Sequence, residues 1–254
     1  MIALLGNLAR DFLPGEPARA GGAPYHAARA LRHLDVQAVL YARCAEDDRA
    51  ELLQPVAALG SVVRYVPGLA TASFELSYEG DRRQMTVRSL GDSWLPADLP
   101  TLPDEVRWAH VAPLVRSDFP AETLAALARG RRLSLDGQGL VRPARTGVLE
   151  LDADFDPELL RHVWVLKLSE EEAAVLGDPA ALGVRELLVT EGSRGATVYS
   201  GGRAERISAF PLEGDPTGAG DAFCVGYLAA RSTGFSPAAA GRKATSAVAA
   251  MLAG

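Results

Sequence analysis

Apolar residues along this chain come in short runs that alternate with stretches of helical spacing. Ile2 to Leu5 has the pattern of a buried strand, closed at once by Gly6. Pro24 to Leu34 has helical spacing, with Ala27, Ala28, Leu31 and Leu34 on one side. Val36 to Ala42 predicts a second strand and Arg49 to Leu59 a second helix. Further strands are predicted at Trp108 to Val111, Arg132 to Asp136, Val163 to Lys167 and Glu186 to Thr190. Helices are predicted at Pro120 to Arg129, Glu170 to Leu176, Ala219 to Arg231 and Pro237 to Ala253. Strands alternating with helices imply βαβ units and a mostly parallel sheet, an α/β fold. Ligands of such sheets bind outside the carboxyl ends of the strands.

One segment departs from the alternation. Ser61 to Leu90 has little helical pattern and contains Ser61 to Val66, Thr71 to Tyr78 and Gln84 to Arg88, with a turn signal at Glu79-Gly80-Asp81. Polar and apolar residues alternate in Phe74-Glu75-Leu76-Ser77-Tyr78, as in a half-exposed sheet. The expectation is a small antiparallel β lid inserted in the α/β body. An ordinary edge hairpin without a moving role satisfies the same pattern.

The bulk numbers narrow the function. The 254 residues carry a net charge of −6, with 48% hydrophobic and 23% charged residues. That suits a globular core and lacks the basic face of a nucleic-acid binder. The two cysteines, Cys44 and Cys224, do not make a disulfide framework, and the scattered histidines suggest no zinc site. No run of about 18 apolar residues occurs, and the N-terminus has no basic region ahead of its short apolar stretch. A cytoplasmic protein with neither nucleic-acid nor membrane partners is expected.

The chemistry concentrates in Asp215-Pro216-Thr217-Gly218-Ala219-Gly220-Asp221. Small residues let backbone N–H groups approach a ligand closely, and the helix that follows adds partial positive charge at its N-terminus. Together Gly218, Ala219 and Gly220 form a nest for an anion such as a transferring phosphoryl group. Asp221, in the first turn beside that nest, can accept the proton of an attacking hydroxyl. Asp215 and Thr217 precede the nest and can cap it. Taken alone, the three small residues are better accounted for by a tight strand-to-helix turn with Asp as its cap. The chain lacks Gly-x-x-x-x-Gly-Lys-Ser/Thr and has no Gly-x-Gly-x-x-Gly after its first strand, so neither a P-loop nor a nicotinamide fold is indicated.

The longer string Asp-Pro-Thr-Gly-Ala-Gly-Asp-Ala-Phe resembles the C-terminal signature of the ribokinase-like (PfkB) carbohydrate kinases, and other segments match in order. Gly6 to Asp11 resembles the family's opening strand and substrate-binding aspartate. Gly21-Gly22-Ala23-Pro24 is similar to its glycine pair, with His26 where the family has an Asn that touches substrate. Thr71 to Arg88 resembles its lid. Val165 to Ala173 is similar to the Asn-x-x-Glu segment, with Ser169 in place of the Asn. Leu188 to Ala196 resembles the nucleotide-binding strand and glycine turn. Asp136-Gly137-Gln138-Gly139-Leu140-Val141-Arg142 is similar to a string in the branch with myo-inositol kinases and some nucleoside kinases.

The resemblance implies a three-layer α/β/α sandwich over residues 1–254, one domain with lid segments near 10–16 and 61–90. It implies transfer of the γ-phosphoryl of ATP to a small polyol, with Asp221 as base and Gly218 to Gly220 as anion hole. Asp11, Gly21, Gly22, His26, Asp136, Gln138 and Arg88 would meet the acceptor. Lys167, Ser169, Thr190, Gly192, Gly195 and Thr217 would meet ATP, and Glu172 would organise Mg2+ through water. A sugar phosphate as acceptor would need a cationic clamp, which Arg82, Arg83 or Arg88 can supply. The chain ends 33 residues after Asp221, sooner than the family's pattern, which implies a more open adenine region and leaves a potassium site in doubt. A degenerate member that binds a small molecule without turnover is the rival reading. An open apolar lid face would favour a homodimer.

Overall fold

The computed structural model describes residues 1–79, 82–210 and 217–253. In chain order, β1 (Ile2–Asn7) leads into the short strands β2 (Ala9–Phe12) and β3 (Arg19–Gly21), then α1 (Ala23–Leu31), β4 (Ala38–Ala45), α2 (Arg49–Ala58) and β5 (Val62–Gly68). The hairpin β6 (Ala72–Glu79) and β7 (Arg82–Ser89) follows, then β8 (Trp108–Ala112), α3 (Ala121–Leu127), β9 (Arg132–Asp136), the single turn α4 (Gln138–Val141) and β10 (Gly147–Val148). The last part holds β11 (Val163–Ser169), α5 (Glu170–Leu176), β12 (Glu186–Thr190), β13 (Ala196–Ser200), β14 (Arg203–Ile207), α6 (Ala219–Ser232) and α7 (Pro237–Ala253).

Nine strands form one sheet in the order β14-β13-β12-β11-β9-β8-β1-β4-β5. Its pairs are parallel from β5 through β12, and β13 and β14 add an antiparallel edge. β1 and β8 are buried along their whole length, which explains why they are continuous apolar runs and not alternating ones. Successive residues of β1 serve opposite layers. Ile2 and Leu4 pack with Ala27 of α1, Leu52 of α2, Val225 of α6 and Ala244 of α7. Ala3 and Leu5 pack on the other face with Leu124 of α3 and Leu140 of α4, against which Ala173 and Leu176 of α5 also rest. The result is the expected three-layer α/β/α sandwich.

The second sheet has five strands in the order β10-β7-β6-β2-β3. Its apolar face sets Ala72, Phe74 and Val87 against Leu114 and Val115, which follow β8. It therefore covers the carboxyl end of the large sheet. The expected lid stretch 61–90 divides between the two sheets. Residues 62–68 pair in parallel with β4 and extend the large sheet at its edge, while only β6 and β7 enter the small one. An edge strand is half-exposed, so its alternation looks the same in either sheet. Residues 13–16, also assigned to the lid, lie between β2 and β3 outside any strand. The turn residues Gly80 and Asp81 lie outside the described residues. The outer face of the small sheet carries Phe12, Glu75 and Arg88, with Arg88 paired to Glu75 at 3.5 Å and placed over the Phe12 ring. Among the described residues, this face is charged and not the open apolar surface expected to draw a second copy.

Candidate active site

The residue that caps α6 is a glycine because its backbone there is left-handed. Gly218 has φ +83°, and a Cβ there would meet His26 Nδ1 at 2.6 Å. Two residues of α1 thus hold the turn. His26 packs on Gly218, and Arg29 donates to Thr217 O at 3.3 Å. The N–H groups of Ala219, Gly220 and Asp221 fall in the first turn of a 14-residue helix, where no intrahelical carbonyl takes them. They are available to an anion, and the helix dipole favours one. Asp215, the expected cap, lies outside the described residues.

This turn floors a cleft of about 890 Å³ at the carboxyl ends of β11 and β12. Gln138, Lys167, Ser169, Glu172, Thr190, Gly192 and Gly195 line it together with Gly218 to Asp221. The segment after β12 can reach the cleft because Gly192 (φ +59°) and Gly195 (φ +105°) close a tight turn, with Glu191 N donating to Gly195 O at 2.8 Å. A side chain at Gly195 would collide with the backbone of Ile207 in β14.

Electrostatics set Asp221 apart. Burial and the neighbouring Asp136 push its carboxyl up to about 7, against the opposing pull of Lys167 and Arg142. Burial alone would lower the proton affinity of Lys167. Asp136, Glu172 and Asp221 outweigh that, so its ammonium stays charged. Behind Asp221, His110 of β8 is 2% exposed, and burial lowers it to about 4, so the imidazole is neutral.

Several expected site residues do other work. Asp136 is 1% exposed, pairs with Lys167 at 3.2 Å and accepts Gln138 N at 3.1 Å. That burial leaves no face for an acceptor. Glu172 and Ser169 are joined in a capping box: Ser169 N donates to Glu172 Oε2 at 2.7 Å, and Glu172 N donates to Ser169 Oγ at 3.2 Å. Gly22 (φ +88°) caps α1, and a side chain there would strike the Asn7 carbonyl. Gly21 leaves room for the Asp11 carboxylate. Asp11 pairs in register with Phe74 of the packed lid face, whereas Arg88 lies with Glu75 on the opposite face, outside the cleft lining. Arg82 and Arg83 stand in β7, but their side chains are not among those described. Sequence reasoning missed the cleft wall of Phe223, Val248 and the buried Thr245, whose only signal was the buried stripe of α6 and α7.

The pfkB family carbohydrate kinase model matches residues 18–253. The chain belongs to the pfkB family of carbohydrate kinases. Within this family it is 33% identical over 184 residues to an inositol 3-kinase of Oryza sativa subsp. japonica, covering 65% of this chain and 45% of that protein. An inositol 3-kinase of Zea mays is 34% identical over 163 residues, 61% of this chain and 42% of that protein. The chain thus spans less than half the length of these two relatives. A fructokinase of Klebsiella pneumoniae is 28% identical over 272 residues, covering 90% of this chain and 83% of its own. Among solved structures, a pyrophosphate-dependent kinase of the ribokinase family, bound to a pyrophosphate analog and myo-inositol, superposes with a TM-score of 0.85 at 23% identity, covering 100% of this chain and 95% of its own. A Burkholderia thailandensis nucleoside kinase in complex with inosine gives a TM-score of 0.78 at 23% identity, covering 100% and 91%. At these identities the two structures establish the shared fold.

Proposed function

We propose that this protein transfers the γ-phosphoryl of ATP to a hydroxyl of a small polyol: a sugar, a cyclitol such as myo-inositol, or a nucleoside. The observation that carries the reading is the placement of Asp221 in the first turn of α6, beside the free N–H groups of Ala219 and Gly220, on the floor of the cleft. In the reaction the acceptor oxygen bonds to the γ-phosphorus as the bond to the β–γ bridging oxygen breaks, and ADP leaves with that electron pair. Asp221 takes the hydroxyl proton, and its raised proton affinity suits a base working near neutral pH. The turn N–H groups stabilise charge on the equatorial oxygens. Thr190, Gly192 and Gly195 form the wall for the nucleotide. Asp11 on the small sheet is the acceptor-side carboxylate, and that sheet excludes competing water.

The residues do not fit a dedicated magnesium cage. Among the described residues no group of three or more His, Cys, Asp or Glu could hold a metal, and Glu172 is tied into its capping box. Magnesium would therefore arrive on the donor phosphates. No described helix is long and apolar enough to cross a membrane.

The likeness to a pyrophosphate-dependent kinase makes pyrophosphate the second donor to try. The test offers ATP or pyrophosphate with myo-inositol, fructose, cytidine, inosine and a sugar phosphate, and follows release of ADP or phosphate. Turnover with a polyol that drops at least ~10²-fold in Asp221→Asn, with the fold and donor affinity kept, supports the reading. A variant with wild-type kcat removes Asp221 as base. A rise in melting temperature with ATP, but no product from any acceptor, identifies a binder without turnover.

A further inference from the structure

The ion pair between Lys167 and Asp136 is unusual in its place. Lys167 stands two residues before the end of β11 and Asp136 ends β9, and the two are direct partners in the parallel register. Nζ lies 3.2 Å from Oδ2, with the side chains 6% and 1% exposed. The backbone locks both ends: Gly137 N donates to Lys167 O at 2.7 Å, and Gln138 N donates to Asp136 Oδ1 at 3.1 Å. The far side of the amine faces the anion turn. A Cβ on Gly220 would lie 3.1 Å from Nζ and 3.2 Å from Cε, so the ammonium rests directly beneath that residue. A buried pair of this kind is weak as a source of stability, because desolvation of both ions offsets their attraction. Its position supplies another reason for it.

We propose, resting on the phosphoryl-transfer reading above, that Lys167 and Asp136 are positioning residues for Asp221 and not ligands of donor or acceptor. Asp136 pins the ammonium under Gly220, and the pair sets one positive and one negative charge beside the base. The groups facing Asp221 are Asp136 from β9, Lys167 from β11, Arg142 after α4, Glu172 from α5 and the neutral His110 of β8, with the Cys224 thiol below. Loss of Lys167 leaves Asp221 among two carboxylates with only Arg142 to balance them. Loss of Asp136 leaves two cations facing it. The two deletions must therefore move the ionisation of Asp221 in opposite directions.

The test is the pH profile of kcat/KM for the wild type, Lys167→Met, Asp136→Asn and the double variant, each as the full chain. Alongside it, the carboxyl of Asp221 is titrated by ¹³C NMR in aspartate-labelled protein, with the signal identified through Asp221→Asn. The acid limb should move up in Lys167→Met and down in Asp136→Asn, each by roughly one pH unit. In the double variant, which leaves no buried charge alone, it should return close to the wild-type position. Single variants that fold but leave the limb in place, or move it the same way, overturn the proposal. So does a rise in donor KM alone in Lys167→Met, which would make that residue a phosphate ligand. If neither single variant folds, a double variant whose Asp221 titrates far from the wild type overturns it. If the wild type has no turnover, the NMR titration still decides the pair, and only the kinase reading fails.

Discussion

Asp118 offers a direct measure of how strongly the body is strained by a buried acid. It is 1% exposed in the loop between β8 and α3, with Oδ2 accepting Leu114 N at 2.7 Å and Oδ1 without an aligned hydrogen bond. Burial pushes its carboxyl from the ordinary 3.8 up to about 7, against the favourable Leu114 and Val115 amides and Asn7. Folding therefore takes up a proton between pH 4 and pH 7, so stability is greatest at low pH and falls as pH rises toward 7. Above that pH the folded carboxylate is charged and the loss is complete. A difference of about three units corresponds to about 4 kcal/mol in all, of which roughly 3 kcal/mol is lost between pH 5 and pH 8. That is a large share of a typical domain stability of about 5–15 kcal/mol. Asp118→Asn keeps an acceptor for Leu114 N and has nothing to titrate. Urea unfolding of wild type and variant from pH 5 to pH 8 should show the variant gaining roughly 3 kcal/mol relative to the wild type as pH rises. The remaining slope in the variant combines Asp221, whose shift has the same sign, with buried His110, whose lowered imidazole contributes a slope of the opposite sign below pH 6.5. A wild-type minus variant difference that stays constant across this range would refute the reasoning.

Gly218→Ala should cost about 1–2 kcal/mol in stability from its left-handed backbone alone, and more once His26 is displaced. Its kcat should fall much further than its melting temperature implies, which thermal scans and turnover on the same preparation will separate. Arg88→Ala should leave the acceptor KM within about twofold, because the side chain lies with Glu75 on the outer face of the small sheet. A tenfold rise would return Arg88 to the acceptor site.

Much of the α/β body was legible because its central strands are sealed on both faces and its helices carry their own stop signals. β9, β12, α5 and α7 fall where the pattern placed them, and Ser169 announces its helix through Glu172 three residues on. The partners of a strand are less visible. Nothing local distinguishes the β5 segment from a lid strand, and two-residue β10 has no pattern at all. The β13–β14 hairpin did leave a signal, the Gly201-Gly202 pair between two short alternating runs. The site divides similarly. The Gly218 to Asp221 turn is contiguous and could be read directly. The roles of Asp136 and Lys167 depend on a pairing of β9 with β11, and His26 meets Gly218 only through the packing of α1 on α6. Arg88 was lost to the two-residue period of a strand, where one step changes the face.

The short strand β10 makes the small sheet a shared possession of two parts of the chain. Val148 pairs with Thr86, and Leu149 N donates to Met85 O at 2.8 Å, while Asp152 N reaches back to Val141 O at 3.0 Å. Arg116 binds both the Leu140 carbonyl and Asp152. A flap stitched to its frame along one seam cannot swing outward freely. It must unpick that seam or pull residues 141–152 along, and Arg142 with them. Whatever settles against one wall of the cleft is thereby felt, through a few backbone hydrogen bonds, at the other.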